Sequence, residues 1–148
     1  MVPEHHRRNV RLTALALLVL ATGGAVFAQA PAMPEPLTAE PGDPARGKAV
    51  AVNSDLGNCV ICHQIPVPEL PEGAAGDIGP DLAGVGSRLT AAELRQRIVD
   101  PRVIDPDTVM PAYFVATGFT RVQVEYEGKT ILTAQQVEDL VAYLETLK

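Results

Sequence analysis

Cys59-Val60-Ile61-Cys62-His63 places two thiols three residues apart, with an imidazole directly behind the second. Residues of these types at this spacing suit one chemistry above others. Each sulfur adds to one vinyl group of a haem, and the following histidine lies beneath the porphyrin and ligates the iron. Other uses of the same five residues fit less well. A redox dithiol belongs in a βαβ setting, and no such pattern flanks the motif. A zinc site needs four ligands, yet the chain has no further cysteine, and its other histidines are His5 and His6. A disulfide between residues three apart closes a loop too small to add much stability. The motif therefore predicts one haem c, with Cys59 and Cys62 as its thioether anchors and His63 as the proximal ligand of its iron.

The distal ligand follows by elimination. His5 and His6 fall in a segment expected to be removed, which leaves no second histidine. Of the methionines, Met33 sits in the proline-rich run Pro31-Ala32-Met33-Pro34-Glu35-Pro36, where nothing evident fixes it. Met110 is left, followed by Pro111, in the stretch Asp105–Pro111 that reads as an extended loop able to present it. Methionine opposite histidine raises the reduction potential relative to two nitrogen ligands. Two strong axial ligands also leave no open position for oxygen or substrate, so electron transfer is expected. The other nitrogen–hydrogen of the proximal imidazole needs an acceptor to fix the ring. A backbone carbonyl around Pro80 is the candidate, with a plain turn as the alternative reading of that proline.

The elements that must position these groups can be followed along the chain. Residues 1–30 read as a cleaved secretory signal. Arg7, Arg8 and Arg11 give a positive start, Leu12 to Ala25 is largely apolar, and Ala28-Gln29-Ala30 supplies a small-x-small cleavage pattern. The apolar run is too short and interrupted to read as a membrane span, so export that leaves no stable membrane anchor is expected, with a retained N-terminal anchor as the alternative. Residues 31–42 are rich in proline and acid with no hydrophobic period, and read as a flexible linker. The domain then occupies residues 43–148. Asp43-Pro44 caps a first helix running to about Val52, in which Gly47 suggests a close helix crossing or simple tolerance near a helix end. The prolines and glycines of residues 64–77 preclude regular structure. Thr90-Ala91-Ala92-Glu93 and Thr133-Ala134-Gln135-Gln136 are capping boxes. The first opens a short helix ended by Pro101, with Leu94 and Ile98 on one face. The second opens a helix striped with Val137, Leu140, Val141, Leu144 and Leu147, flanked by Tyr143, which is placed to pack near Gly47. Arg121 to Glu127 alternates, as a short exposed strand or an extended loop would.

Charge narrows the function classes. The chain carries 12 Lys+Arg and 18 Asp+Glu, and the expected leader takes three arginines and one glutamate with it. The remainder is more acidic still, without the basic patch that nucleic-acid phosphates require.

The order helix, C-x-x-C-H, Gly-Pro turn, short helix, Met-Pro loop, capped C-terminal helix resembles a class I cytochrome c. That resemblance implies an all-α fold whose first and last helices cross around one covalently bound haem. Particular strings narrow it: Asn58 to His63, Ile78-Gly79-Pro80-Asp81-Leu82, Val109-Met110-Pro111-Ala112-Tyr113, and Gly128 to Leu144. Together these are similar to the SoxX family, the mono-haem cytochromes of the SoxAX complex of bacterial sulfur oxidation. The resemblance implies a periplasmic heterodimer with a SoxA-type cytochrome that carries the catalytic haem. It also implies transient contact with a SoxYZ carrier, whose cysteine is oxidatively coupled to thiosulfate, and a soluble cytochrome c as electron acceptor. The chain would then be non-catalytic alone, an electron-transfer subunit of an L-cysteine S-thiosulfotransferase. A free electron shuttle of a respiratory chain is the alternative, and a ligand-binding or peroxidatic haem that releases Met110 is a third reading. Two smaller questions stay open at this level. Tyr113, Phe114 and Phe119 could meet a partner or line the haem pocket, and Arg88 could pair with a propionate or lie solvated.

Overall fold

A computed structural model describes residues 31–71 and 73–148; the expected leader lies outside them. Among these described residues four α-helices form, α1 (Pro44–Val52), α2 (Val85–Arg88), α3 (Ala91–Val99) and α4 (Ala134–Thr146), joined by loops with three short 3₁₀ turns and no strand.

The longest helix, α4, is the element on which the others pack. Its start is fixed by a reciprocal capping box. The Gln136 N–H donates to Thr133 Oγ1, and the Thr133 N–H donates to the Gln136 side chain. Val137, Leu140, Val141 and Leu144 are all buried along it. The first helix starts where Asp43 accepts from the Arg46 N–H, with Pro44 behind it. It crosses α4 at Gly47, where any β-carbon would be driven into the Asp139 carbonyl and the Tyr143 side chain. Glycine at that point is thus a packing requirement, because only a bare backbone lets the helices approach so closely. In α3 the Thr90/Glu93 box forms as expected, with Leu94 and Ile98 buried. The short α2 is not evident in the sequence pattern. Its Gly86 N–H donates to Leu147 O at the end of α4 (2.9 Å).

One correction concerns the N-terminal flank. The segment 31–42, expected as a flexible linker, is docked. The Met33 N–H donates to Ala92 O (3.0 Å), the Leu37 N–H to Glu138 Oε1 (2.9 Å) and Thr38 Oγ1 to Gln135 Oε1 (2.8 Å). The cause is a buried Arg95–Glu138 pair. The guanidinium makes two bonds to the carboxylate (2.7 and 2.9 Å) and a third to the Met33 carbonyl (2.7 Å). Buried charges need every remaining donor and acceptor satisfied, and the backbone of this segment supplies the partners. At 121–127, where alternation leaves a short strand or an extended loop open, the chain is a loop. Val124–Tyr126 forms an exposed 3₁₀ turn within it, with no strand among the described residues to pair with it.

Candidate functional site

The Cys59–His63 stretch leaves α1 through Asn58, which adopts a left-handed conformation (φ 45°). One 3₁₀ turn, Cys59–Ile61, follows, and the His63 N–H donates to Cys59 O (2.9 Å). Both thiols are free and half-buried. Burial pushes the Cys59 thiol up to about 11, the opposite of the lowered value that makes a redox dithiol reactive.

His63 Nδ1 lies 2.7 Å from the Pro80 carbonyl. A carbonyl can only accept, so Nδ1 carries the hydrogen and, in the neutral ring, Nε2 offers a lone pair. The loop that supplies this carbonyl is itself fixed. The Gly79 N–H donates to Cys62 O (2.8 Å), and the Leu82 N–H to Gln64 O (2.9 Å). Arg88, open in the sequence reading, spends its guanidinium on the Ala83 and Asp81 carbonyls of the same loop (2.6 and 2.9 Å). Gly79 lies flush against the imidazole, and a β-carbon there would overlap the ring. The proline- and glycine-rich loop before it folds back on the cysteine turn, with the Gly76 N–H on Val60 O (2.8 Å) and Gln64 Nε2 on the Ala75 and Gly76 carbonyls (both 2.9 Å). Irregular backbone here is nonetheless tied at these points.

Met110 stands in the loop after α3, half-buried and packed against the core. Its N–H donates to Thr108 Oγ1 (3.2 Å). The loop is pegged on both sides. Before it, Arg102 makes two bonds to Asp100 (2.7 and 2.9 Å) and lies 4.5 Å over the Phe119 ring. After it, the N–H groups of Tyr113 and Phe114 donate to Ile98 O and Val99 O (3.1 and 3.3 Å). Met33, set aside in the sequence as unfixed, is in fact held. Its N–H and carbonyl are committed to Ala92 and Arg95, and its side chain packs against the core.

The donor set suits a haem. Two unpaired thiols and an imidazole with a free Nε2 lie in one turn. Large aliphatic side chains are exposed beside the cysteine turn, Pro80 and Met110: Ile61 at 62%, Ile78 at 68% and Val109 at 79%. Apolar surface of that kind is what a porphyrin would cover.

Comparison with known proteins agrees with this geometry. The cytochrome c family model matches residues 44–148. Among solved structures, SoxXA from P. pantotrophus is similar to this chain at 40% identity, over 79% of this chain and 90% of that one, with a TM-score of 0.72. The chain belongs to the SoxX family of c-type cytochromes. As a SoxX-type cytochrome it has the all-α class I fold and one covalently bound haem c. No curated protein matches it significantly.

Several residues of this SoxX-type cytochrome escape motif reading. Gly79 against His63, the Arg88 clamp and the Tyr113 hydroxyl carry no local signature. A hint existed only for Arg95 and Glu138, charged residues on the core-facing side of their helices.

Proposed function

We propose that this chain is the electron-transfer subunit of a periplasmic two-cytochrome complex that couples thiosulfate to a carrier-protein cysteine. In this reading residues 1–30 direct export and are cleaved, and residues 31–148 fold with haem. The partner is a SoxA-type cytochrome, which handles sulfur. The substrate carrier is a SoxYZ protein, and electrons leave to a soluble cytochrome c.

The chain's own residues have defined tasks. Cys59 and Cys62 hold the haem by two thioethers. The Pro80 carbonyl and Gly79 fix the His63 ring and leave Nε2 as the nitrogen that would ligate the iron. Met110 would supply the second ligand, and its loop is braced by Thr108 and by the Asp100–Arg102 pair. When bound, the haem would supply a one-electron redox centre, and two protein ligands would leave it no open position for oxygen or substrate. Rigid ligands of this sort limit rearrangement when the charge on the centre changes.

The observation that carries the partner assignment is the 40% identity to a chain of the SoxXA structure over nine-tenths of that chain's length. The test is isolation of the haem-loaded chain from cells growing on thiosulfate. A second haem protein is expected to co-purify, and thiosulfate with the carrier protein is expected to reduce the haem of the pair. A lone monomer whose haem stays oxidised under those conditions contradicts the proposal.

A further inference from the structure

Tyr113 is buried three residues after Met110, and each of its polar groups goes to a different part of the chain. Its N–H donates to Ile98 O in α3 (3.1 Å), and its carbonyl accepts from the Leu132 N–H ahead of α4 (3.0 Å). Its phenol donates to Gly57 O (2.8 Å), a buried bond between residues 56 positions apart. Gly57 is anchored in turn. Its N–H donates to Val50 O in α1 (3.1 Å), and a β-carbon placed on it would lie 3.3 Å from Cys59 Sγ. The acceptor peptide therefore abuts the first haem-anchoring sulfur.

The arrangement has a mechanical consequence. Three peptide links separate Met110 from Tyr113, a tether of roughly 10 Å at full extension. A methionine on so short a leash cannot swing far while the phenol stays bonded. Burial also pushes the Tyr113 phenol well above its ordinary value, so it stays an O–H donor across the working pH range. A phenylalanine would fill the same space but leave the Gly57 carbonyl without its partner.

We infer that Tyr113 is a positioning residue for the distal ligand, its hydroxyl locking the Met110 loop to the Cys59 turn so that the thioether stays on the iron. The inference rests on Met110 being that ligand. Its test uses the haem-loaded chain and exogenous imidazole. The rate at which the ferric protein takes up imidazole reads how often Met110 lets go, while the sulfur-to-iron charge-transfer band reports that Met110 is bound.

Tyr113→Phe is expected to keep the band and to speed imidazole uptake by roughly five- to tenfold, the factor that one lost buried hydrogen bond corresponds to. Val141→Ala serves as the control, since Val141 lies on a different element, α4, and its truncation in the core lowers overall stability. It is expected to leave the uptake rate unchanged. If Tyr113→Phe takes up imidazole at the native rate, or if Val141→Ala speeds uptake as much, Tyr113 has no positioning role. The two readings fail separately. A native protein without the band overturns the Met110 assignment and this inference with it. A band that Met110→Ala abolishes, beside native-rate uptake in Tyr113→Phe, overturns the inference alone.

Discussion

Glu138 and Asp139 stand side by side on α4, and each receives two bonds from a different arginine. Arg95 reaches Glu138 from α3, and Arg46 reaches Asp139 from α1 (2.8 and 2.9 Å). Asp139 also accepts from the Asp43 N–H (2.8 Å), just ahead of α1. Two adjacent carboxylates thus fasten three parts of the chain to one helix: the docked N-terminal segment, α1 and α3.

Removing one partner of the Arg95–Glu138 pair leaves the other charge buried and alone. Both side chains are only 5–6% exposed. Arg95→Met is therefore expected to destabilise the protein by about 3–5 kcal/mol, read from the denaturant midpoint. It also frees the Met33 carbonyl, so protease cleavage within residues 31–42 is expected to accelerate. A change of stability near zero would mean the pair is not desolvated in solution.

Acid should weaken the same fastenings. Burial alone would raise both carboxyls, but bonds from Arg95 and the Leu37 N–H outweigh it at Glu138. Bonds from Arg46, the Asp43 N–H and Gln135 do so at Asp139, so both sit below their ordinary values. A carboxyl lowered in the fold adds stability above its unfolded value, about 4, and loses it as pH falls through the folded one. Denaturant stability is expected to be flat from neutral pH to about 5 and to fall below that, with a shallower fall in Asp139→Asn. Stability that rises on acidification would contradict this.

At the helix crossing, Gly47→Ala forces a methyl into the Asp139 carbonyl. Backbone on both sides has little room to give, so a loss of about 1–3 kcal/mol is expected by chemical denaturation. The same substitution at Gly73, where a β-carbon meets nothing, separates crowding from backbone strain. There only the positive φ of 75° is penalised, by about 1 kcal/mol.

Gly79→Ala tests the seat of the proximal ring. The added carbon overlaps the imidazole, so His63 must turn away from Pro80 or the loop must retreat. Covalent haem is expected to survive, since the cysteines are untouched. The ferric spectrum is expected to lose its uniform low-spin form, and the reduction potential to shift. An unchanged spectrum and potential would mean the ring seat tolerates a side chain.

Met110→Ala is expected to retain the covalent haem, open the distal position and lower the reduction potential. Carbon monoxide binding to the ferrous variant, and loss of the sulfur-to-iron charge-transfer band in the ferric one, would report it. Persistence of that band would assign the ligand elsewhere.

Much of this site is legible in the residues themselves, because its chemistry depends on neighbours in sequence. Two thiols and an imidazole within five positions, two capping boxes, and a glycine in a helix that must cross another are local patterns with physical causes. Pro80 as an acceptor follows from what an iron-ligating imidazole needs. The fastening of residues 31–42 does not follow, since proline and acid content describes an isolated segment and not the Arg95 and Glu138 groups that hold it. The Tyr113–Gly57 bond likewise joins residues whose proximity only the completed topology creates. At 121–127 alternation alone leaves strand and loop open, because a strand requires a partner as well as a period.

The account depends most on an iron porphyrin joined to this chain by two sulfurs. The direct measurement is the mass of the exported polypeptide, produced with a haem-ligation apparatus, before and after thiol alkylation. One haem added to the polypeptide mass, with neither Cys59 nor Cys62 open to the reagent, is the predicted result. A colourless chain that takes up two alkyl groups would contradict it.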